Sequence, residues 1–351
     1  MKEGYDVLVT PEVVISIARA CQTHESSLVV IDLSCSLLAT LAAGESIDLD
    51  VIIDNGGTEV IARALSCPGE KVQESACIAF RNLTCKVRGS DELLRRGVQI
   101  RQLTQAMSAH ENSVSIQTNV CASLWNLAFK SRQDPGSIVD SAGVRSIVKA
   151  MQNHMESGDL LEIACGALWS LVDDSNDRKK DVVGCGAIDA LSCALVMHPG
   201  ESHTLVKACG VLSNVSFEGP FAEAIASAQG VSIVVDTMRS NSNSVPLLTT
   251  CCTVLRNIVA HHPTFAQEAS GAVSTIINSM RDHPDEAAFQ EEACTLLWIL
   301  AEKSEDVQSK ICALDGITVL MKTLEHNSDV PEVQGAALGA FNQLAAATTS
   351  V

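Results

Sequence analysis

The stretch CASLWNLA at residues 121–128 decides how this chain folds, because it is one copy of a repeating octet. CIAFRNLT stands at 77–84, CGALWSLV at 165–172, CGVLSNVS at 209–216, CTVLRNIV at 252–259, CTLLWILA at 294–301 and LGAFNQLA at 338–345. A weaker copy, CSLLATLA at 35–42, opens the series. The seventh residues of the octets serve as anchors: Leu41, Leu83, Leu127, Leu171, Val215, Ile258, Leu300 and Leu344, spaced 42 to 44 residues apart. A period of that length marks stacked helical units, each too small to bury its own apolar face and each completed by its neighbours.

Small or apolar residues recur seven, six and three positions before each anchor, which lays one buried stripe along a helix. About twenty residues earlier runs a second apolar helix opened by glycine, as in GVRSIVKAM from Gly143 and GVSIVVDTM from Gly230. The same glycine recurs at Gly57, Gly97, Gly186, Gly271 and Gly316, where the missing Cβ suits a sharp turn. A short helix is expected before it, as at 90–96, 220–228 and 305–313. Short helix, glycine turn, medium helix, loop and long helix in that order resemble the armadillo repeat. A HEAT unit would have two helices and no such glycine.

The resemblance extends over nearly the whole chain. It implies an all-α, right-handed α-solenoid of about eight repeats in a single domain, 1–351. The repeats are expected at 10–44, 45–86, 87–130, 131–174, 175–217, 218–261, 262–303 and 304–351. The first is expected to lack its short helix, with Thr10 as N-cap and Pro11 in the first turn of the second helix.

Composition narrows the function. Of the 351 residues 46% are hydrophobic but only 3% aromatic, a palette for close helix packing. The net charge of -18 leaves no basic face to displace counterions from phosphates, so nucleic acid is not the expected partner. It would attract a basic partner segment. No secretion signal or membrane-length apolar run is recognisable, which places the fourteen cysteines in a reducing compartment, cytosol or nucleus, and predicts no membrane insertion.

Seven cysteines, Cys35, Cys77, Cys121, Cys165, Cys209, Cys252 and Cys294, share the position six before the anchor. Sites one per repeat cannot converge on one ion, so these read as small core side chains and no metal or cofactor is expected. His24, His110, His154, His198 and His283 lie seventeen before their anchors, and His326 eighteen before. The second helix should end there, where a histidine can bond the terminal carbonyls. There is no phosphate loop, nucleophile elbow or HExxH helix, so no enzyme is expected.

Asn82, Asn126, Asn214 and Asn257 each directly precede an anchor, although asparagine is a poor helix-interior residue. An amide donates and accepts, so it can pair with any main chain; it can equally cap its own helix or bond the neighbouring repeat. The residue before it is Arg81, Trp125, Trp169, Arg256 or Trp298, so all three tryptophans share one repeat position. Such side chains suit interface hot spots. In armadillo proteins such as importin-α and β-catenin the equivalent asparagine lines the concave groove and bonds an extended peptide. By that resemblance the nine residues form a partner-binding groove.

The groove tryptophan of importin-α lies four residues before the asparagine, where this chain has Ile78, Ala122, Gly210 and Thr253. A nuclear-import cargo adaptor is therefore disfavoured, and the arrangement is closer to the catenin and plakophilin style. The expected function is a monomeric, non-enzymatic scaffold or adaptor holding an extended segment. Glu74, Glu162, Glu291, Glu292 and Glu332 point to basic character in that segment. The alternative is a regulator or exchange factor gripping a folded partner such as a small GTPase.

Overall fold

The computed structural model describes residues 10–44, 49–86, 99–130, 141–172 and 176–348; among these the regular elements are all helical. The short helix expected at 90–96, Gly97 and any helix preceding Thr10 lie outside the described residues. Contacts divide the chain into two compact units, residues 1–185 and 186–351.

In the first unit the order is α1 (Pro11–Thr23), α2 (Leu28–Ala43), α3 (Leu49–Asp54), α4 (Gly57–Leu65) and α5 (Glu70–Lys86). It continues with α6 (Ile100–Ala109), α7 (Val114–Lys130), α8 (Ser141–Asn153), α9 (Gly158–Leu171) and α10 (Asn176–Gly184). The anchor-bearing third helices α2, α5, α7 and α9 pack each against the next, and the second helices α1, α4, α6 and α8 do the same in a parallel layer.

The second unit comprises α11 (Ala187–Met197), α12 (Ser202–Ser216), α13 (Gly219–Ser227), α14 (Gly230–Ser240) and α15 (Val245–His261). After two 3₁₀ turns flanking α16 (Ala266–Ala269) come α17 (Val273–Asp282), α18 (Ala287–Lys303), α19 (Glu305–Ala313), α20 (Gly316–His326) and α21 (Pro331–Thr348). Its third helices α12, α15, α18 and α21 stack in the same way. Between the layers lies a core of Leu, Val, Ile, Ala and Cys, in which all seven ladder cysteines are fully buried. Burial pushes the Cys77, Cys121 and Cys294 thiols up to about 12, which keeps them protonated and makes them poor ligands or nucleophiles.

The glycine turn works by clearance. Left-handed backbone falls on the residue before four of the second helices: Gly56, Gly186, Gln229 and Asp315. The glycine that follows has ordinary backbone angles, but a Cβ on Gly57, Gly230 or Gly316 would lie 2.6–2.8 Å from the carbonyl oxygen of Ile52, Ile225 or Ile311, five residues back. The short helix ends so close to the start of the next that only a hydrogen fits.

The second helices end where the histidines predict. His24, His110, His198 and His283 occupy the C-cap. Their side chains have varied roles: His154 Nε2 lies 2.7 Å from the Glu111 carbonyl and His198 bonds Glu201, while His326 reaches the Lys322 carbonyl of its own helix. In four repeats a glutamine ten residues before the anchor binds the terminal carbonyls. Gln117 Nε2 donates to Met107 O and His110 O, Gln290 to Met280 O and His283 O, and Gln334 to Leu324 O and Asn327 O. Gln73 does the same to Leu65 O and Cys67 O. Thr10 is at the N-cap of α1, but its hydroxyl accepts no bond from that helix's backbone.

Candidate partner-binding face

Within each unit the exposed side of the third helices carries the candidate residues. Four-residue spacing puts Glu74, Ile78 and Asn82 on one side of α5, and Ala122, Asn126 and Trp125 on the same side of α7. The asparagine and the residue before it turn out to reach in opposite directions.

The asparagines reach back. Asn82 Nδ2 donates to the Ala39 carbonyl of α2 at 2.9 Å, and Asn126 Nδ2 to the Thr84 hydroxyl of α5 at 3.2 Å. Asn257 Nδ2 donates to the Ser213 carbonyl and the Ser216 hydroxyl of α12. Of the open sequence alternatives, bonding to the neighbouring repeat is present at these three positions. Asn257 is buried and its Oδ1 accepts from the Arg256 guanidinium, so its bonding capacity is used internally. Asn82 and Asn126 are only half-buried and use the amide nitrogen, which leaves their Oδ1 as acceptors on the surface. Asn214 is also half-buried.

The preceding residues reach forward. Arg81 Nη1 donates to Asn119 Oδ1 of α7 at 3.2 Å, and Arg256 Nη1 pairs with Glu292 Oε1 of α18 at 3.1 Å. Burial raises the Glu292 pKa, and the Arg256 charge opposes it. Trp125 lies over Gly166 of α9 and Trp298 over Gly339 of α21, so close that a Cβ on either glycine would fall within 3 Å of the ring. Trp169 is exposed, as is Trp298 at its outer edge. The Trp/Arg–Asn pair is therefore a stitch joining three successive third helices, with Trp125 and Trp298 each seated on a glycine of the next.

That seating gives a test. Gly339→Ala should gain up to about 1 kcal/mol of helix propensity, but lose roughly 1–3 kcal/mol by displacing the Trp298 ring. The expected net result is a lower melting temperature with red-shifted tryptophan emission. In a Trp298→Leu background the same Gly339→Ala change should become neutral or stabilising. An identical effect in both backgrounds would show that the ring does not sit there.

Sequence reasoning missed Phe129. It is exposed one turn beyond Trp125 and three residues from Asn126. In a chain with only seven phenylalanines, one three residues from a ladder asparagine is a signal that scarcity alone could have flagged. Among the described residues no His/Cys/Asp/Glu group could hold a metal ion, and no helix is long and apolar enough to cross a membrane.

No protein-family model and no curated sequence matches the chain. Solved structures do. One, from a study of a phosphorylation switch controlling the interaction between cadherin and β-catenin, superposes with a TM-score of 0.82 at 18% identity. It covers 97% of this chain, which spans 65% of that chain's length. A solved engineered protein superposes with a TM-score of 0.58 at 18% identity, over 70% of this chain and 98% of its own. With stacked three-helix units and this superposition together, the chain has the armadillo-repeat fold.

Proposed function

We propose that this protein is a non-enzymatic scaffold that binds an extended, basic segment of a partner protein across the third helices, with α5 and α7 as the centre of the site. The observation that carries the proposal is the pair of half-buried amides, Asn82 and Asn126, which bond neighbouring repeats through Nδ2 and whose Oδ1 atoms take no hydrogen bond among the described residues. A peptide main chain would donate to these acceptors, whatever its side chains. The exposed ring of Phe129 would take apolar or cationic groups. Glu74 on the same side of α5 and the net charge of -18 favour basic residues in the segment. The solved neighbour concerns a cadherin–β-catenin interaction, which supports a protein partner without identifying this one. Asn257, locked by Arg256 and Ser213, serves as a structural member of the same ladder.

The test is affinity capture under reducing conditions with wild type and an Asn126→Ala/Phe129→Ser variant. The variant should lose at least about tenfold in affinity for the captured partner, equivalent to roughly 1.4 kcal/mol, with unchanged helicity and only the small fall in melting temperature that losing the Asn126–Thr84 bond brings. Equal capture by both proteins would refute the site.

A further inference from the structure

The residue that follows each octet is exposed wherever it is described: Ala43, Cys85, Phe129, Phe217, Ala260 and Glu302. The fold accepts alanine, cysteine or glutamate there, so it does not require an aromatic ring at that position. Two repeats nevertheless carry one, and both place it three residues after a ladder asparagine, in NLAF at 126–129 and NVSF at 214–217. Phe129 belongs to the site proposed above, and Phe217, 66% exposed, is its counterpart in the second unit. A lone exposed ring needs no explanation. A ring repeated at one position, beside the same amide, once in each unit, does need one, and aromatic side chains are the usual anchors of protein interfaces.

Phe217 is also held in place from the next repeat. It is the C-cap of α12, and its carbonyl accepts from His261 Nε2 of α15 at 3.0 Å. Two residues on, the Gly219 carbonyl accepts from His262 Nε2 at 3.0 Å. The His261 ring lies over Gly219, where a Cβ would come within 3.3 Å of Nδ1. Carbonyl oxygens only accept, so both imidazoles carry a proton on Nε2. The adjacent histidines thus fix the backbone of residues 217–219 while the phenyl ring stays open to solvent. A side chain on a fixed backbone loses little freedom when a ligand covers it, which favours binding.

We propose that Phe217, with half-buried Asn214 one turn before it, is a second subsite for a basic extended segment, and that it takes an apolar side chain flanked by lysine or arginine. Charge favours this occupant. Residues 186–351 hold seven Lys and Arg against eighteen Asp and Glu, so -11 of the chain's -18 lies in the second unit. Glu218 follows the ring directly, and Arg256, the one arginine of α15, is paired with Glu292. Basic groups beside the apolar residue would also meet the face of the ring favourably. The class of ligand rests on the function proposed for α5 and α7, whereas the subsite itself rests on α12 and α15 alone.

Fluorescence anisotropy of the full chain with two labelled synthetic peptides tests it. One peptide carries phenylalanines among lysines and glycines, and the other has serines in their place. The wild type should bind the phenylalanine peptide more tightly. Phe217→Ser should weaken that binding by roughly fivefold, the worth of one aromatic pair, and leave both the serine peptide's affinity and the melting temperature unchanged. Phe217→Leu should keep most of the preference, because an apolar side chain remains. Phe129→Ser, measured alongside, separates the two sites. Loss of the preference there with none in Phe217→Ser overturns the second subsite and leaves the first standing, whereas loss in Phe217→Ser alone supports the second and refutes the first. A wild type that does not distinguish the peptides overturns the proposal. So does a marked fall in the melting temperature of Phe217→Ser, because the ring would then serve the fold.

Discussion

Gly230→Ala is expected to destabilise the second unit by about 3 kcal/mol, although alanine is the better helix former by roughly 1 kcal/mol. Gly230 opens α14, and its backbone needs no glycine, since the left-handed angle belongs to Gln229. The obstacle is space: an added Cβ would stand 2.6 Å from the Ile225 carbonyl oxygen and 2.5 Å from its Cγ2. A rotamer change can move the methyl group, but the carbonyl belongs to the backbone of α13, so α13 and α14 must separate. Ile225 and Val231 are fully buried beside the turn, and separation would loosen both. Gly335→Ala is the matched control. A Cβ there meets nothing within 4 Å, and the residue lies inside α21, so the change should be neutral or stabilising by up to about 1 kcal/mol. Urea unfolding followed by helical ellipticity should give midpoints that move in opposite directions for the two variants. Equal midpoints would show that the turn has room to relax.

The fold was legible because its signal is periodic. The anchors from Leu41 to Leu344 recur every 42 to 44 residues, and one residue type, cysteine, marks the same buried slot seven times. What could not be read was which side chain satisfies which backbone group. The histidines announce themselves by their regular spacing and do mark the helix ends, but the carbonyls there are bound by Gln73, Gln117, Gln290 and Gln334, which lie on the following helix. Those glutamines share their repeat position with Ile31, Leu161, Leu205 and Leu248, so a reader looking for apolar periodicity sees only exceptions. The Gly turn was readable as a turn; its cause, an isoleucine carbonyl five residues back, was not, because sequence gives no distances.

The candidate site was half legible for a related reason. Asparagine and Trp/Arg at adjacent positions were visible, but adjacent helical residues point different ways, and here one reaches backward and the other forward. A sequence trace of this exists. Trp125 and Trp298 are each followed, one repeat later and three residues earlier in the octet, by the glycine their rings cover, Gly166 and Gly339. Arg81 and Arg256 are followed at that position by Ala122 and Thr295, and they reach instead to Asn119 and Glu292. The pairing assigns part of each ladder to stability, and the binding proposal then rests on what the stitch leaves over: the Oδ1 atoms of Asn82 and Asn126, and exposed Phe129.

Gln290→Leu should cost about 2–3 kcal/mol, and the reason is polar rather than steric. Leucine fits this repeat position, since Leu161, Leu205 and Leu248 fill it elsewhere and are fully buried. Gln290 is itself fully buried and satisfied: its Nε2 donates to Met280 O at 2.9 Å and His283 O at 2.8 Å, and its Oε1 accepts from the Thr323 hydroxyl at 2.8 Å. Removing the amide leaves the end of α17 with an uncapped carbonyl and strands a hydroxyl on α20 away from water, each a desolvation cost of roughly 1–3 kcal/mol before relaxation. The His283 carbonyl keeps a bond from the Glu286 amide, which limits the loss on that side. Adding Thr323→Val should recover part of the cost, because replacing both members of a buried pair by apolar groups of similar shape is close to neutral. A double-mutant cycle on denaturant midpoints should therefore show clear coupling between Gln290 and Thr323. If Gln290→Leu is as stable as the wild type, the glutamine ladder contributes shape alone, and the helix ends must be satisfied by solvent.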